Sequence, residues 1–354
     1  MRIGVDATSV LDELTGAEAH ALTAVEALAA AGGHEVVPFV RRRPPQRWEG
    51  LDAVRPVVLA TGSQAAATQV LLPRAARRAG VDVLYCPAKP APAGATVPVL
   101  AAVHDLVPWT RPETMGRAAA PWYRAFHRIA VRRGHHVSTG LECVAGEVRA
   151  RLGVPAERLH VVGHALVPWL ERDVPRPAVA GDGPFVLSVC RLEPRKDLGT
   201  VLDAWERLRP TGTRLLLAGK AGWKVAPLVE RARSIPGVEL LGEVDDKVLA
   251  GLYGSASAFV TASREEGFGL PVLEAMALGA PVVASAIPPH REVADDAARW
   301  FEPGDPDGLA TALGEVLSGD GDALRSAGAA RAAHWSSDRL AARLLAALDA
   351  AAGS

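Results

Sequence analysis

Short apolar runs alternate along the chain with longer stretches of helical periodicity. In the first half the runs predict strands at Arg2–Asp6, Glu35–Val40, Asp82–Cys86, Val97–Val103, His135–Ser138 and Leu159–Val162. Alanine-rich helical patterns lie between some of them, as at Ala17–Ala31. In the second half the runs predict strands at Phe185–Cys190, Arg214–Ala218, Val238–Leu241, Ala258–Thr261 and Pro281–Ala284. Strand and helix in alternation imply an α/β protein whose parallel sheets are covered on both faces. The periodicity lapses over Val167–Pro184, VPWLERDVPRPAVAGDGP, a proline- and glycine-bearing stretch that reads as an interdomain linker. The expected domains are therefore 1–173 and 174–337, each the size of one doubly wound domain. A last helix within 338–354 could pack on either domain, which leaves a return to the N-terminal one open. Doubly wound sheets bind ligands outside the carboxyl ends of their strands, so two of them facing each other would make a cleft.

Composition narrows the classes. The 354 residues are 49% apolar, enough for sizeable cores. No apolar run reaches the ~18 residues of a membrane span. The start, MRIGVDATSV, lacks the apolar core of a signal peptide and reads as a first strand with Asp6 at its end. Cys86, Cys143 and Cys190 are far apart and odd in number, which suggests neither a disulfide framework nor a zinc site. A reduced, cytoplasmic protein is expected. Through Asp173 there are 20 Lys+Arg against 16 Asp+Glu, and beyond it 19 against 24. Neither half is basic enough for a nucleic-acid partner. The first-half excess gathers at Arg41–Arg43 and on a helix carrying Arg117, Arg124, Arg128, Arg132 and Arg133. A solvated helix face is the simpler account. Contact with an anionic acceptor or a membrane surface is the sharper one.

The chemistry concentrates in Glu265–Ser285, EEGFGLPVLEAMALGAPVVAS. A strand leads into Gly267-Phe268-Gly269. Pro271 suits the first turn of a helix, where its missing N–H costs nothing, and Gly279 suits the stop. Free N–H groups and the helix dipole at such a start favour an anion, and the glycines let a phosphate approach the backbone. Glu266 and Glu274 bracket this turn. Ionised carboxylates only accept hydrogen bonds, so they can hold ribose or sugar hydroxyls on either side of a phosphate but not the phosphate itself. Either acid alone would read as an ordinary surface or first-turn residue; the pair around a glycine turn points to a ligand. Cations are supplied by the segment after the strand FVLSVC. Arg191 stands at the strand's carboxyl end and Lys196 at the edge of the next helix, suited to bidentate and point-charge phosphate binding. Asp197 is placed to cap that helix.

In order along the chain, Arg191-Leu-Glu-Pro-Arg-Lys196, AGKAGW, GEVDD and Glu266-Gly-Phe-Gly-Leu-Pro-Val-Leu-Glu274 resemble the retaining glycosyltransferases of family 4. The resemblance covers roughly Pro184 to Leu317, with two glutamates separated by seven residues as its signature. It implies a GT-B architecture: two doubly wound, Rossmann-like parallel-sheet domains facing a cleft, acceptor on the N-terminal domain and nucleotide-sugar donor on the C-terminal one. It implies that Arg191 and Lys196 hold the donor diphosphate, Glu274 the ribose hydroxyls and Glu266 the donor sugar. Gly267, Phe268, Gly269 and Leu270 would offer backbone N–H groups, and Val244 would lie near the base through its backbone.

In the first half, His104-Asp105-Leu106 resembles the family's His-Asp-Leu stretch, which implies that His104 points to the donor sugar or its phosphate. Asp105 reads as a turn or helix cap, and Trp109 as a ligand-facing aromatic. Three segments depart from the family pattern. The first loop keeps Gly16, placed near the donor, but carries Glu18 and His20, which read as acceptor-side residues. The segment before the next helix begins Ser138-Thr-Gly, with Ser138 also on the acceptor side. After His160, Gly163-His164-Ala165 replaces the family's usual Pro-Asn-Gly.

The expected activity is retaining transfer of a sugar from a nucleoside diphosphate sugar to an acceptor hydroxyl, in specialised-metabolite or cell-surface glycan synthesis. No cofactor and no metal are expected, since fixed positive charge would serve the diphosphate. Asp305-Pro-Asp307 and Asp320-Gly-Asp322 read as surface turns. The rival readings are a non-catalytic nucleotide-sugar or glycan-binding partner, and a cousin of the same fold that epimerises a nucleotide sugar or couples a non-sugar group.

Overall fold

The computed structural model describes residues 1–10, 16–115, 118–168, 170–222 and 225–353. Leu14 and Thr15 of the first loop, Arg117 and Trp223 lie outside the described residues. The chain divides into two compact units, Met1–Val167 with Trp335–Ser354, and Pro168–His334.

The first unit holds strands β1 (Arg2–Asp6), β2 (Glu35–Val40), β3 (Val57–Val58), β4 (Val83–Cys86), β5 (Val99–Ala102), β6 (His136–Thr139) and β7 (Leu159–Val161). They form one sheet in the order β3-β2-β1-β4-β5-β6-β7. The second unit holds β8 (Phe185–Val189), β9 (Arg214–Ala218), β10 (Val238–Gly242), β11 (Ala258–Thr261), β12 (Val282–Ser285) and β13 (Ala298–Phe301). Their order is β10-β9-β8-β11-β12-β13. All pairings are parallel. Central strands such as β11 and β12 are buried along their whole length, as continuous apolar runs in a doubly covered sheet require.

Two strands had no clear sequence signal. β3 is only two residues long, and β13 carries Arg299 and Trp300 within ARWF. Both lie at sheet edges, where one face and one backbone edge can stay wet. The proline-bearing segment after Val167 belongs to the second unit for a local reason. Arg176 donates to the carbonyls of Gly181 and Ala180 and sits 4.9 Å over the Phe185 ring. The C-terminal helix Ser337–Ala352 packs on the helix Gly16–Ala31 in the first unit and buries Leu340, Leu344 and Leu348. Among the described residues no helix is long and apolar enough to cross a membrane. On the arginine-bearing helix, observed as Ala119–Arg132, Arg124 donates to the Pro108 carbonyl and Arg128 and Arg132 are exposed.

In each sheet the strand order reverses once, between β1 and β4 and between β8 and β11. At such a reversal the connections leave in opposite directions and open a crevice at the strands' carboxyl ends. In the second unit the loops bordering it follow β8, from Cys190, and β11, from Ala262. The glycines of AGKAGW shape this rim. Gly222 N–H donates to the Leu192 carbonyl at 2.8 Å, while Cys190 N–H donates to the Ala218 carbonyl at 3.0 Å. Gly219 has φ +137°, and a Cβ there would run into the Cys190 carbonyl, with its carbon 2.7 Å away. The two backbones meet so closely that only glycine fits, one residue before Arg191.

Gly219→Ala is therefore expected to destabilise the second unit by ~2–4 kcal/mol through this backbone clash. Gly254→Ala is the control: the nearest atom to its Cβ, the Leu278 carbonyl oxygen, would be at an ordinary 3.6 Å. Thermal melts of both variants check this; an unchanged transition for Gly219→Ala would refute the close approach.

Candidate functional site

At the crevice of the second unit the structure brings Glu266, Lys196 and a residue the sequence reading passed over, Arg195, into one cluster. Lys196 Nζ bonds Glu266 Oε1 directly. Arg195 Nη1 donates to Glu266 Oε2 at 3.0 Å, and Ser263 Oγ donates to Oε1 at 2.7 Å. Lys196 and Glu266 are each only 10% exposed. Burial alone would raise the Glu266 carboxyl, but the Lys196 and Arg195 charges outweigh it and hold it down at about 2. Glu266 is thus ionised across the whole physiological range. Arg191, by contrast, is exposed and makes no ion pair among the described residues.

The glycine turn is as tight as its sequence suggested. Gly269 has φ +94°, and a Cβ there would stand 2.9 Å from the His290 ring. Phe268 is buried beside it. The helix runs Leu270–Ala277, with Pro271 in its first turn, and ends through Gly279 at φ +87°. His290, also missed by the sequence reading, is buried under this turn with Nδ1 3.0 Å from the Ser285 carbonyl oxygen. Burial keeps it below the ordinary histidine range despite the nearby Glu266 charge.

Glu274 does not share the partners of Glu266. Its Oε2 accepts from the Tyr253 hydroxyl at 3.0 Å. Tyr253 lies on the helix Asp246–Ser255, which follows Val244 and is capped by the Asp245 side chain accepting from Val248 N–H. Burial, helped by the Asp246 charge, raises the Glu274 carboxyl to about 7 despite the Tyr253 hydrogen bond. The two acids of the motif therefore differ in kind: one is fixed as an anion, the other is poised to titrate near neutrality.

Two smaller expectations need correction. Asp197 stands at the start of the helix Leu198–Leu208, but its backbone is left-handed and its carboxylate takes the Thr200 hydroxyl and Arg264 rather than a helix N–H. Asp305 is not in a free surface turn: it caps the helix Pro306–Glu315, accepting from the N–H groups of Asp307 and Gly308. Asp105 forms a turn as expected, accepting from Val107 N–H at 3.0 Å.

In the first unit the segments that depart from the family pattern meet one another. Glu18 and His20 lie on the first turns of the helix Gly16–Ala31, and Gly16 itself is exposed. Lys89 Nζ pairs with Glu18 at 3.1 Å, and His20 Nε2 lies 2.7 Å from the Tyr85 hydroxyl. The His20 ring centroid is 4.2 Å from that of His164 and 5.1 Å from that of His104. His104 Nε2 bonds the Pro87 carbonyl, which can only accept, so that nitrogen carries the proton. Burial holds all three imidazoles below the ordinary histidine range, and their mutual repulsion lowers His20 and His164 further. Ser138 is fully buried on β6. Trp109 is half-buried, with its ring 6.0 Å from His127. No group of three histidine, cysteine or acidic residues among those described could hold a metal ion.

The raised Glu274 carboxyl fixes a pH dependence. Its folded-state value lies above the ordinary 4.5, so its contribution to stability is fully present below that value and is lost as pH rises through about 7. Glu274→Gln removes this loss. The melting temperature of Glu274→Gln relative to the unsubstituted protein is expected to rise by roughly several °C between pH 5 and pH 8. Parallel melting curves at both pH values would refute the perturbed carboxyl.

The sequence pattern described as "Glycosyltransferase Family 4" fits residues 14–166, and the one described as "Glycosyl transferases group 1" fits residues 183–319. O-antigen chain mannosyltransferase B of Escherichia coli is 38% identical over 143 residues, which are 38% of this chain and 37% of that protein. The serotype-specific mannosyltransferase WbdA of Escherichia coli is 35% identical over 147 residues, 40% of this chain and 18% of that protein. The matched stretch thus spans well under half the length of these curated relatives. The structure of Anabaena HepE in complex with UDP and glucose superposes with a TM-score of 0.76 at 18% identity, covering 99% of each chain, and shares the fold. With both units matched by patterns of the family and the whole chain by its fold, the protein belongs to glycosyltransferase family 4 and has a GT-B fold.

Proposed function

We propose that this chain transfers a sugar from a nucleoside diphosphate sugar to an acceptor hydroxyl, with retention at the anomeric carbon and without a metal ion. The observation that carries the reading is the Glu266 carboxylate held by Lys196 and Arg195 beside the N-terminus of the helix Leu270–Ala277. The costly step in such a transfer is departure of the diphosphate, because negative charge grows on the leaving oxygen. Lys196, the exposed Arg191 and the dipole at the helix start supply positive potential for that charge. Glu266, an obligate acceptor at neutral pH, takes hydroxyls of the donor sugar. Glu274 takes the ribose hydroxyls beside Tyr253, and the backbone at Val244 borders the base.

Retention through a covalent glycosyl intermediate would need a carboxylate nucleophile at the anomeric carbon. Glu266 is a poor candidate, since two cations and a serine hydroxyl already occupy its oxygens. The reading therefore assigns attack on the face from which the diphosphate leaves, with the leaving phosphate accepting the acceptor's proton. The acceptor is assigned to the first unit, where Glu18 and His20 offer hydrogen-bonding groups. The mannosyltransferase names of the relatives make a nucleoside diphosphate mannose the first donor to examine, in the service of glycan synthesis.

Turnover of GDP-mannose and UDP-glucose in EDTA, with NMR of the released or transferred sugar, tests this. The expected result is release of nucleoside diphosphate with the anomeric configuration unchanged. An inverted product would refute retention, and activity that appears only with added Mg²⁺ or Mn²⁺ would refute the metal-free reading. Glu266→Ala is expected to reduce turnover by about 10²-fold or more. It should leave nucleoside diphosphate affinity equal or tighter, because Lys196 is released from its carboxylate; persistent turnover would remove Glu266 from the reaction.

A further inference from the structure

Lys196 faces two demands. Its ammonium bonds Glu266 directly, and in the function proposed above the same ammonium serves the donor diphosphate. It is a single point charge, so drawing it toward a phosphate loosens its hold on the carboxylate. A buried glutamate that loses its only cation would move toward protonation, and it would also lose its orientation.

Arg195 answers this demand by its geometry. Its guanidinium fork reaches Glu266 Oε2 at 3.0 Å, the Glu265 carbonyl at 3.2 Å, and Glu193 Oε1 at 2.6 Å. Its own carbonyl accepts from Arg264 N–H at 2.8 Å. One residue thus joins the loop after β8 to the loop after β11 twice, by side chain and by backbone. These contacts run along Arg264, Glu265 and Glu266, the residues that lead into the glycine turn. The side chain is 26% exposed, on the rim rather than among the fully buried groups. Its fixed partners leave it less free than Lys196 to follow a ligand.

We propose that Arg195 is a positioning residue: it keeps the Glu266 carboxylate ionised and aimed at the donor sugar while Lys196 engages the donor diphosphate. The inference rests on the reading of Glu266 as the donor-sugar residue. It divides the labour between two adjacent cations, one for the phosphates and one for the carboxylate. The sugar-recognising and phosphate-recognising parts of the site are then separable by mutation.

The test uses the full chain with Arg195→Met and Arg195→Lys, titrated calorimetrically with GDP, UDP, GDP-mannose and UDP-glucose. For whichever base binds, Arg195→Met should leave nucleoside diphosphate affinity within about threefold and weaken the sugar nucleotide by about tenfold or more, a difference of one decade. Arg195→Lys should recover part of that decade. The acid limb of the turnover profile should move to higher pH in Arg195→Met, because the carboxyl has lost a cation that held it low. Equal weakening of nucleotide and sugar nucleotide would overturn the proposal and make Arg195 a phosphate ligand. No change in either would overturn it as well. A ¹³C NMR titration of the Glu266 carboxyl needs no ligand: its midpoint should rise in Arg195→Met, and an unmoved midpoint refutes the role. That readout stands even if the unsubstituted protein binds no sugar nucleotide, an outcome that would instead sink the proposed function.

Discussion

The second unit is organised around one buried ion pair. Glu266 meets Lys196 and Arg195 at the place where the sheet's strand order reverses, and each contact crosses from the loop after β8 to the loop after β11. Charges so little exposed are tolerated only when their oxygens and protons are satisfied. Here Ser263 and the Glu265 carbonyl complete the set. Removing one partner from such a cluster costs about 3–5 kcal/mol, far more than an exposed pair would. The neighbouring backbone serves the same end. Gly219 and Gly222 let the rim close tightly on Cys190 and Leu192, the residues on either side of Arg191. The cluster both ties the rim together and holds an anion and two cations ready for a ligand.

The two glutamates of the motif show how spacing and environment divide the information. Their separation along the chain reads as a ligand signal, because two acids around a Gly-Phe-Gly turn have little structural reason to be there. Their opposite electrostatics were not. Glu266 finds two cations from a segment seventy residues away, while Glu274 finds a tyrosine hydroxyl and the Asp246 charge. Arg195, Ser263, Tyr253 and His290 were missed as well. Arg195 and Tyr253 find their carboxylates only through packing between segments distant in the chain, whereas Ser263 bonds Glu266 within one loop.

Most of the fold was legible. Apolar runs in doubly covered parallel sheets are continuous, so β8, β9, β11 and β12 could be placed to within a residue or so. The strands without a signal, β3 and β13, are sheet edges whose solvent-facing residues break the pattern. In the first unit the family departures at Glu18, His20 and His164 looked unrelated along the chain. In space the His20, His104 and His164 rings contact one another in tilted and edge-on pairs, so a change at one of them is felt at the others.

The central claim is that Lys196, beside Glu266 and the adjacent helix N-terminus, is the cation of a diphosphate site. Calorimetric titration of the full chain with UDP, GDP, ADP and TDP in EDTA tests it most directly. The account predicts saturable binding without metal, with one base clearly preferred and affinity reduced by about tenfold or more in Lys196→Met. Binding by none of the four, or binding that is indifferent to Lys196, would contradict it.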